Sequence, residues 1–270
     1  MRGVITIAAL SAILVSPSTS IAQAIVEWGS SFDEALETAR ARSDTVLLDF
    51  SADWCPPCKE MDEKVWTDPD LAALVREKVV PVRIDFDEEK RLVRRFKVSS
   101  IPTIIWADPW GNELGRHVGY EVVATLVEAI ESMPEDFRAI QSFHEIASKD
   151  DEPAVPLVRI GSFYREKGFL LAAESFYERA LDACKNGKRE PQAAEQAYVG
   201  LGLSLLSRGK AADARKAFER AVKLPPGPNR ANALYGLVAA YARLGDEKKA
   251  AQRLCRAEVR LSDLPEPGGG

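Results

Sequence analysis

Leu48-Asp49-Phe50-Ser51-Ala52-Asp53-Trp54-Cys55-Pro56-Pro57-Cys58-Lys59 decides how this chain is read. Thr45 to Phe50 is a short, largely apolar run, interrupted by Asp49, of the kind that forms a central strand covered on both faces. Cys55 then opens a helix continuing to about Trp66, with Pro56 and Pro57 in the first turn, where a missing N–H costs little. Two cysteines at i and i+3 at a helix start lie close enough for a disulfide. The spacing predicts that Cys55 faces outward at the terminus, with Cys58 one turn deeper. A helix dipole places about half a positive charge at its N-terminus, which stabilises a thiolate on Cys55. The thiolate is the attacking species in thiol–disulfide exchange, so the pair reads as redox-active. The two prolines remove backbone donors that could solvate the thiolate, and no His lies between the cysteines. Both features favour a reducing or weakly oxidising couple.

Asp49 sits six residues before Cys55 in an otherwise apolar strand. A lone buried carboxylate is costly unless paired or protonated, so its pKa should rise. Such a group can accept the Cys58 proton when that thiol must attack; a core Asp satisfied by its neighbours is the alternative. Zinc is the competing chemistry for this spacing, but a structural site needs four ligands. The two histidines, His117 and His144, form no second ligand pair. No metal and no cofactor is expected. Trp54, beside the nucleophile, is a candidate substrate contact, whereas Trp66, Trp106 and Trp110 read as packing residues.

Outward from this segment, helix and strand periods alternate. Ser31–Arg42 is an amphipathic helix, Asp68–Lys78 another, and Val79–Phe86 a second buried strand. Glu88–Phe96 is helical, with charges of mixed sign that mark a solvated face. Ile101–Ala107 and Glu113–Val118 are strands flanking the turn Asp108–Asn112, and Tyr120 to about Ser132 is a closing helix. Interleaved strands and helices mean an α/β sandwich over residues 25–133. A helical connector, Glu135 to Lys149, occupies 134–153.

After Pro134 the strand signal stops, and from 154 to 264 the chain repeats. Aligned on Gly168, Gly209 and Gly245, three units begin near Ala154, Glu195 and Ala231. Small residues recur (Ala173, Ala214 and Ala250; Ala180, Ala221 and Ala257), with Tyr177, Phe218 and Leu254 between them. Gly200 and Gly202 fall inside this helical pattern and read as helix packing. The segment resembles three tetratricopeptide repeats, which implies an all-α solenoid with a groove for a protein or peptide. Val158, Ser162, Arg165, Val199, Leu203, Leu206, Tyr235, Ala239 and Arg243 are the expected groove positions. Cys184 and Cys255 lie in different repeats and read as separate buried residues. The tail 265–270 is expected to be disordered.

The chain ends bear on compartment. Residues 1–24 carry a single charge, Arg2, then an apolar run from Val4 to Val15, Ser16-Pro17-Ser18, and Ala22-Gln23-Ala24. That is the pattern of a secretory signal peptide cleaved after Ala24. The apolar run is shorter than the ~20 residues that span a bilayer. A periplasmic or secreted location follows, where thiol pairs are oxidised unless kept reduced. The net charge of −5 argues against a nucleic-acid partner.

The segment from Leu48 to Lys59 resembles the active-site segment of the thioredoxin superfamily, and Val98-Ser99-Ser100-Ile101-Pro102-Thr103 resembles its second signature. The resemblance covers about Trp28 to Met133. It implies the thioredoxin fold, protein disulfides as substrates, Cys55 as nucleophile, Cys58 as the resolving thiol and Asp49 as their assistant. It also implies that Ile101 and Pro102, joined by a cis bond, hold substrate backbone beside the sulfurs. The Ala-Asp-Trp-Cys stretch is similar to the soluble domain of a membrane electron transporter feeding periplasmic reduction, which implies a membrane electron donor. Where thioredoxin pairs its buried Asp with a Lys, the aligned residue here is Pro81. Arg83, two residues on, is expected to fall short of the carboxylate, leaving proton transfer to water. Fusions of this domain to such repeats also include holdase chaperones and adaptors with little redox activity, the alternative function.

Overall fold

The computed structural model describes residues 25–148, 153–187 and 189–252. The expected leader 1–24, the expected tail 265–270, Lys149, Leu254, Cys255 and Ala257 lie outside the described residues.

The N-terminal unit runs α1 (Phe32–Arg42), β1 (Thr45–Ser51), α2 (Pro56–Lys64), α3 (Pro69–Lys78), β2 (Val79–Asp85), α4 (Lys90–Arg95), β3 (Thr103–Ala107), β4 (Glu113–Val118) and α5 (Val123–Ser132). The strands form one mixed sheet in the order β2-β1-β3-β4. β1 is parallel to β2 and antiparallel to β3, which is antiparallel to β4. Alternation along β1 divides the core. Val46, Leu48 and Phe50 pack with Phe32, Leu36 and Ala39 of α1 and Leu92 of α4. Leu47, on the other face, packs in the cluster that holds Met61 of α2, Leu71 and Val75 of α3, and Leu126 and Ile130 of α5. The result is the α/β sandwich read from the pattern.

Local chemistry sets the element ends. The Ser31 hydroxyl accepts from the Glu34 N–H to start α1, and Asp68 Oδ1 accepts from the Asp70 and Leu71 N–H groups to start α3. Asp85 Oδ1 accepts from the Asp87 and Glu88 N–H groups. That Asx turn delays α4 to Lys90, two residues after the expected Glu88. β3 begins at Thr103 rather than Ile101, because Pro102 has no N–H to donate to the ladder.

The C-terminal unit is helical: α6 (Arg138–Ala147), α7 (Ala154–Glu166), α8 (Leu170–Ala183), α9 (Pro191–Ser207), α10 (Ala211–Lys223) and α11 (Arg230–Arg243), with helical backbone again at 247–252. Gly168, Gly209 and Gly245 turn each pair at positive φ, as the alignment on these glycines expected. Close approach explains two more glycines. A Cβ on Gly200 would come 2.2 Å from the Tyr177 ring, and one on Gly202 would come 2.7 Å from the Phe218 ring. The Gly200–Gly202 stretch is helix packing.

The two units share one core. The apolar cluster that contains Leu47 and Met61 continues through Phe137 and Ile140 into Leu157, Phe176 and Tyr177. The β3–β4 turn makes polar contacts across this seam, and Ser43 makes others to Asp136 and Phe137. Asp108 accepts from the Trp110 and Asn112 backbone N–H groups and from the Tyr164 hydroxyl of α7 at 2.6 Å. Trp110 stacks on His144 of α6 with ring centroids 3.7 Å apart.

One expectation about the solenoid is corrected. Val158, Val199 and Leu206 are buried in the continuous core and line no open groove. α9 packs against α7, α8, α10 and α11 at once, which encloses Val199 and Leu206. Ser162, Arg165 and Leu203 are half-buried, while Tyr235, Ala239 and Arg243 remain exposed.

Candidate active site

Cys55 caps α2. Its backbone is extended, Pro56 and Pro57 occupy the first helical positions, and the Cys58 N–H donates to Cys55 Sγ at 3.2 Å. The prolines remove two N–H groups, and this third one still meets the sulfur. Cys55 and Cys58 are joined in a disulfide, S–S 2.06 Å with Cα atoms 5.3 Å apart. Cys55 is 2% exposed and Cys58 4%, which corrects the expectation of an outward-facing Cys55. The bond to Cys58 and the hydrogen bond from its N–H draw the sulfur back onto the first turn.

Trp54, immediately before, is 62% exposed, and its indole N–H donates to Asp87 Oδ2 at 2.5 Å. That bond holds the Asp87 carboxyl below the usual carboxylate range. Trp66 and Trp106 are buried and Trp110 lies against His144, so these three are packing residues.

The Ile101–Pro102 bond is cis, and the Pro102 carbonyl accepts from the Gly119 N–H at 2.8 Å. Because β3 pairs antiparallel with β1 and Thr103 stands opposite Phe50, Pro102 falls at the end of the sheet from which the chain enters the Cys55 turn. Asp108, five residues beyond Thr103, falls at the opposite end.

Asp49 is 2% exposed in the middle of β1. Its register partner on β2 is Arg83, on the same sheet face. Arg83 Nε donates to Asp49 Oδ2 at 3.0 Å, with Nη2 2.9 Å from the same oxygen. This overturns the expectation that Arg83 falls short. Pro81 is opposite Leu47, so the strand register places Arg83, not Pro81, across from the carboxylate. Burial pushes the Asp49 pKa up to about 6, while the Arg83 charge and hydrogen bond pull it back and Asp62 raises it again. The rise is the one expected from position.

Asp62 was missed. It accepts from Arg83 Nη2 at 2.5 Å and lines a cleft of about 330 Å³ with Trp28, Lys59, Arg83 and Asp85. The signal lay in its spacing, four residues after Cys58 on the same helix face. Among the described residues, no group of three or more His, Cys, Asp or Glu is placed to hold a metal ion. Cys184 is buried at the end of α8, with Sγ 3.5 Å from the Leu181 carbonyl; its expected non-partner Cys255 lies outside the described residues.

Comparison with known proteins agrees with this geometry. A thioredoxin-like family model matches residues 27–109, and tetratricopeptide-repeat models match 152–226 and 199–264. Over 90 residues the chain is 38% identical to the thioredoxin of Chlamydia trachomatis, covering 33% of this chain and 81% of that protein. It is 36% identical over 86 residues to the thioredoxin of Echinococcus granulosus, covering 32% and 76%. It is also 35% identical over 105 residues to the thiol:disulfide interchange protein DsbD of Ralstonia nicotianae. That match covers 37% of this chain and 17% of the relative, so the chain spans under a fifth of the DsbD protein's length.

Proposed function

The chain belongs to the thioredoxin family through residues 27–109, and on that premise we propose that it is an exported thiol–disulfide oxidoreductase acting on protein disulfides. One observation carries the reading. A Cys-Pro-Pro-Cys pair stands at bonding distance at the N-terminus of α2, at the end of the sheet that also carries cis Pro102. In the reducing direction Cys55 Sγ⁻ attacks a substrate disulfide, forming a Cys55–substrate disulfide and releasing one substrate thiolate. Cys58 then gives its proton to Asp49 and attacks Cys55 Sγ, so the Cys55–Cys58 bond forms and the second substrate thiolate leaves. The substrate gains two electrons, the protein dithiol loses two, and a partner dithiol must restore it. Trp54, Ile101 and Pro102 are the proposed substrate contacts, with the substrate backbone added alongside as a strand.

The division into 25–133, 134–153 and 154–264 assigns the chemistry to the first unit and protein docking to the repeats. The leader pattern of residues 1–24 supports export, and the similarity to DsbD supports a membrane-bound source of electrons. The intact cysteine pair favours this reading over a redox-silent holdase. The test is insulin reduction driven by a small dithiol. Wild-type protein accelerates it and Cys55→Ser abolishes the acceleration; an unchanged rate in Cys55→Ser rejects the assignment.

A further inference from the structure

Arg83 stands at the centre of a cluster that the exchange chemistry alone does not call for. It contacts Asp49 Oδ2 through Nε and Nη2, contacts Asp62 Oδ1 through Nη2, and lies over the Trp28 ring, 4.6 Å from its centroid. The two carboxylates have different settings: the side chain of Asp49 is 3% exposed and that of Asp62 40%. One guanidinium thus joins a buried carboxylate to a wet one, and the wet one shares a helix face with the resolving thiol. The charged groups facing this pair are Arg83 from β2 and Asp62 and Lys59 from α2, with Asp53 and Asp85 at the cleft rim. From β3 the register partner of Asp49 is Ile104, which carries no charge.

On the oxidoreductase reading above, we propose that Asp62 is a positioning residue of the exchange site. By holding Arg83 toward the cleft it withholds part of the guanidinium charge from Asp49. That carboxylate stays basic enough to take the Cys58 proton, and the cleft gives the proton a polar exit to solvent. An Arg fork devoted to Asp49 alone would hold it ionised more strongly and make it a weaker base. In the step itself the Cys58 S–H proton passes to an Asp49 oxygen, the Cys58 sulfur displaces the substrate sulfur from Cys55, and the Asp49 proton then leaves through the cleft. The negative charge of Asp62 pushes the Asp49 pKa upward, opposite to the pull of Arg83.

Arg83, in contact with Asp49, and Asp62, in contact with Arg83, therefore act on Asp49 with opposite sign, which a merely structural role does not produce. Reduced protein is mixed with oxidised glutathione, and decay of the Cys55–glutathione adduct is followed by rapid quench and mass spectrometry from pH 5 to 9. Asp62→Asn is expected to lower the apparent midpoint by about one pH unit and to slow the alkaline plateau on the order of threefold. Arg83→Gln is expected to raise the midpoint by about as much. The Asp49 carboxyl titration, read by NMR in the oxidised full-length protein, must move in the same two directions. Unmoved midpoints, or shifts of the same sign in both variants, overturn the proposal. Asp62 is half-exposed, so Asp62→Asn decides the matter even if Arg83→Gln does not fold. If wild-type protein forms no adduct, the oxidoreductase reading fails, while the NMR titration still decides whether Asp62 shares Arg83.

Discussion

The Tyr164 hydroxyl of α7 donates to Asp108 Oδ2 at 2.6 Å, both groups buried, across the seam between sheet and solenoid. Asp108 follows the last residue of β3, and cis Pro102 precedes the first. At ~3.3 Å per residue the strand separates them by roughly 17–20 Å. The repeat unit is thus anchored at the far end of the sheet from the cysteines, and it shares a continuous apolar core with the sheet.

Tyr164→Phe removes one donor from a carboxylate that burial already pushes above its usual pKa. The expected loss is about 1–3 kcal/mol of stability. Urea unfolding monitored separately by tryptophan fluorescence and far-UV circular dichroism should give one coincident transition at lower urea. Two separated transitions in wild-type protein would show that the units do not unfold together.

Asp49 carries a proton more readily folded than unfolded, because burial lifts its pKa from 3.8 to about 6. Its ionisation therefore costs stability, growing as pH rises from about 4 to 6 and complete above that, at about 3 kcal/mol. Asp49→Asn, a neutral isostere, should raise Tm at pH 8 and leave it nearly unchanged at pH 4. His144, whose pKa burial lowers to about 3, has a pH effect of the opposite sense. That effect cancels when variant and wild type are compared at each pH. The same variant should slow resolution of mixed disulfides.

Gly200→Ala drives a methyl into the Tyr177 ring at the α8–α9 contact. Overpacking of this kind costs about 1–3 kcal/mol. Chemical denaturation should show that loss, and the double variant Gly200→Ala/Tyr177→Leu should recover part of it.

Cys58→Ser leaves the nucleophile without its resolving thiol. Incubation with a disulfide substrate should accumulate a covalent adduct on Cys55, visible by non-reducing electrophoresis and released by dithiol. Cys55→Ser should give none.

Much of this was legible before any coordinates. The apolar run around Asp49 and the prolines after Cys55 defined a strand and a helix start that depend only on local chemistry. The repeat register was readable because Gly168, Gly209 and Gly245 must each turn the chain at positive φ. The Asp49–Arg83 contact was misread because counting along β2 says nothing about register. Pairing of Asp49 with Arg83 emerges only when β2 lies beside β1. The Cys58–Asp62 spacing could be read from the sequence, but the Asp62–Arg83 contact could not, since a carboxylate on a helix face acquires meaning only from what packs against it. The Val158 and Val199 positions failed because α7 and α9 are each packed against several helices, which periodicity within one helix cannot reveal. The Tyr164–Asp108 contact joins residues separated by a strand and two helices, where no local signal exists.

The most direct test of the central claim is equilibration of the purified protein with defined ratios of reduced and oxidised glutathione, trapping free thiols and measuring the Cys55–Cys58 pair by mass. A reversible two-electron transition is expected, with a potential toward the reducing end, between about −270 and −180 mV. A pair that stays linked at every ratio, or a potential near −120 mV, contradicts the account.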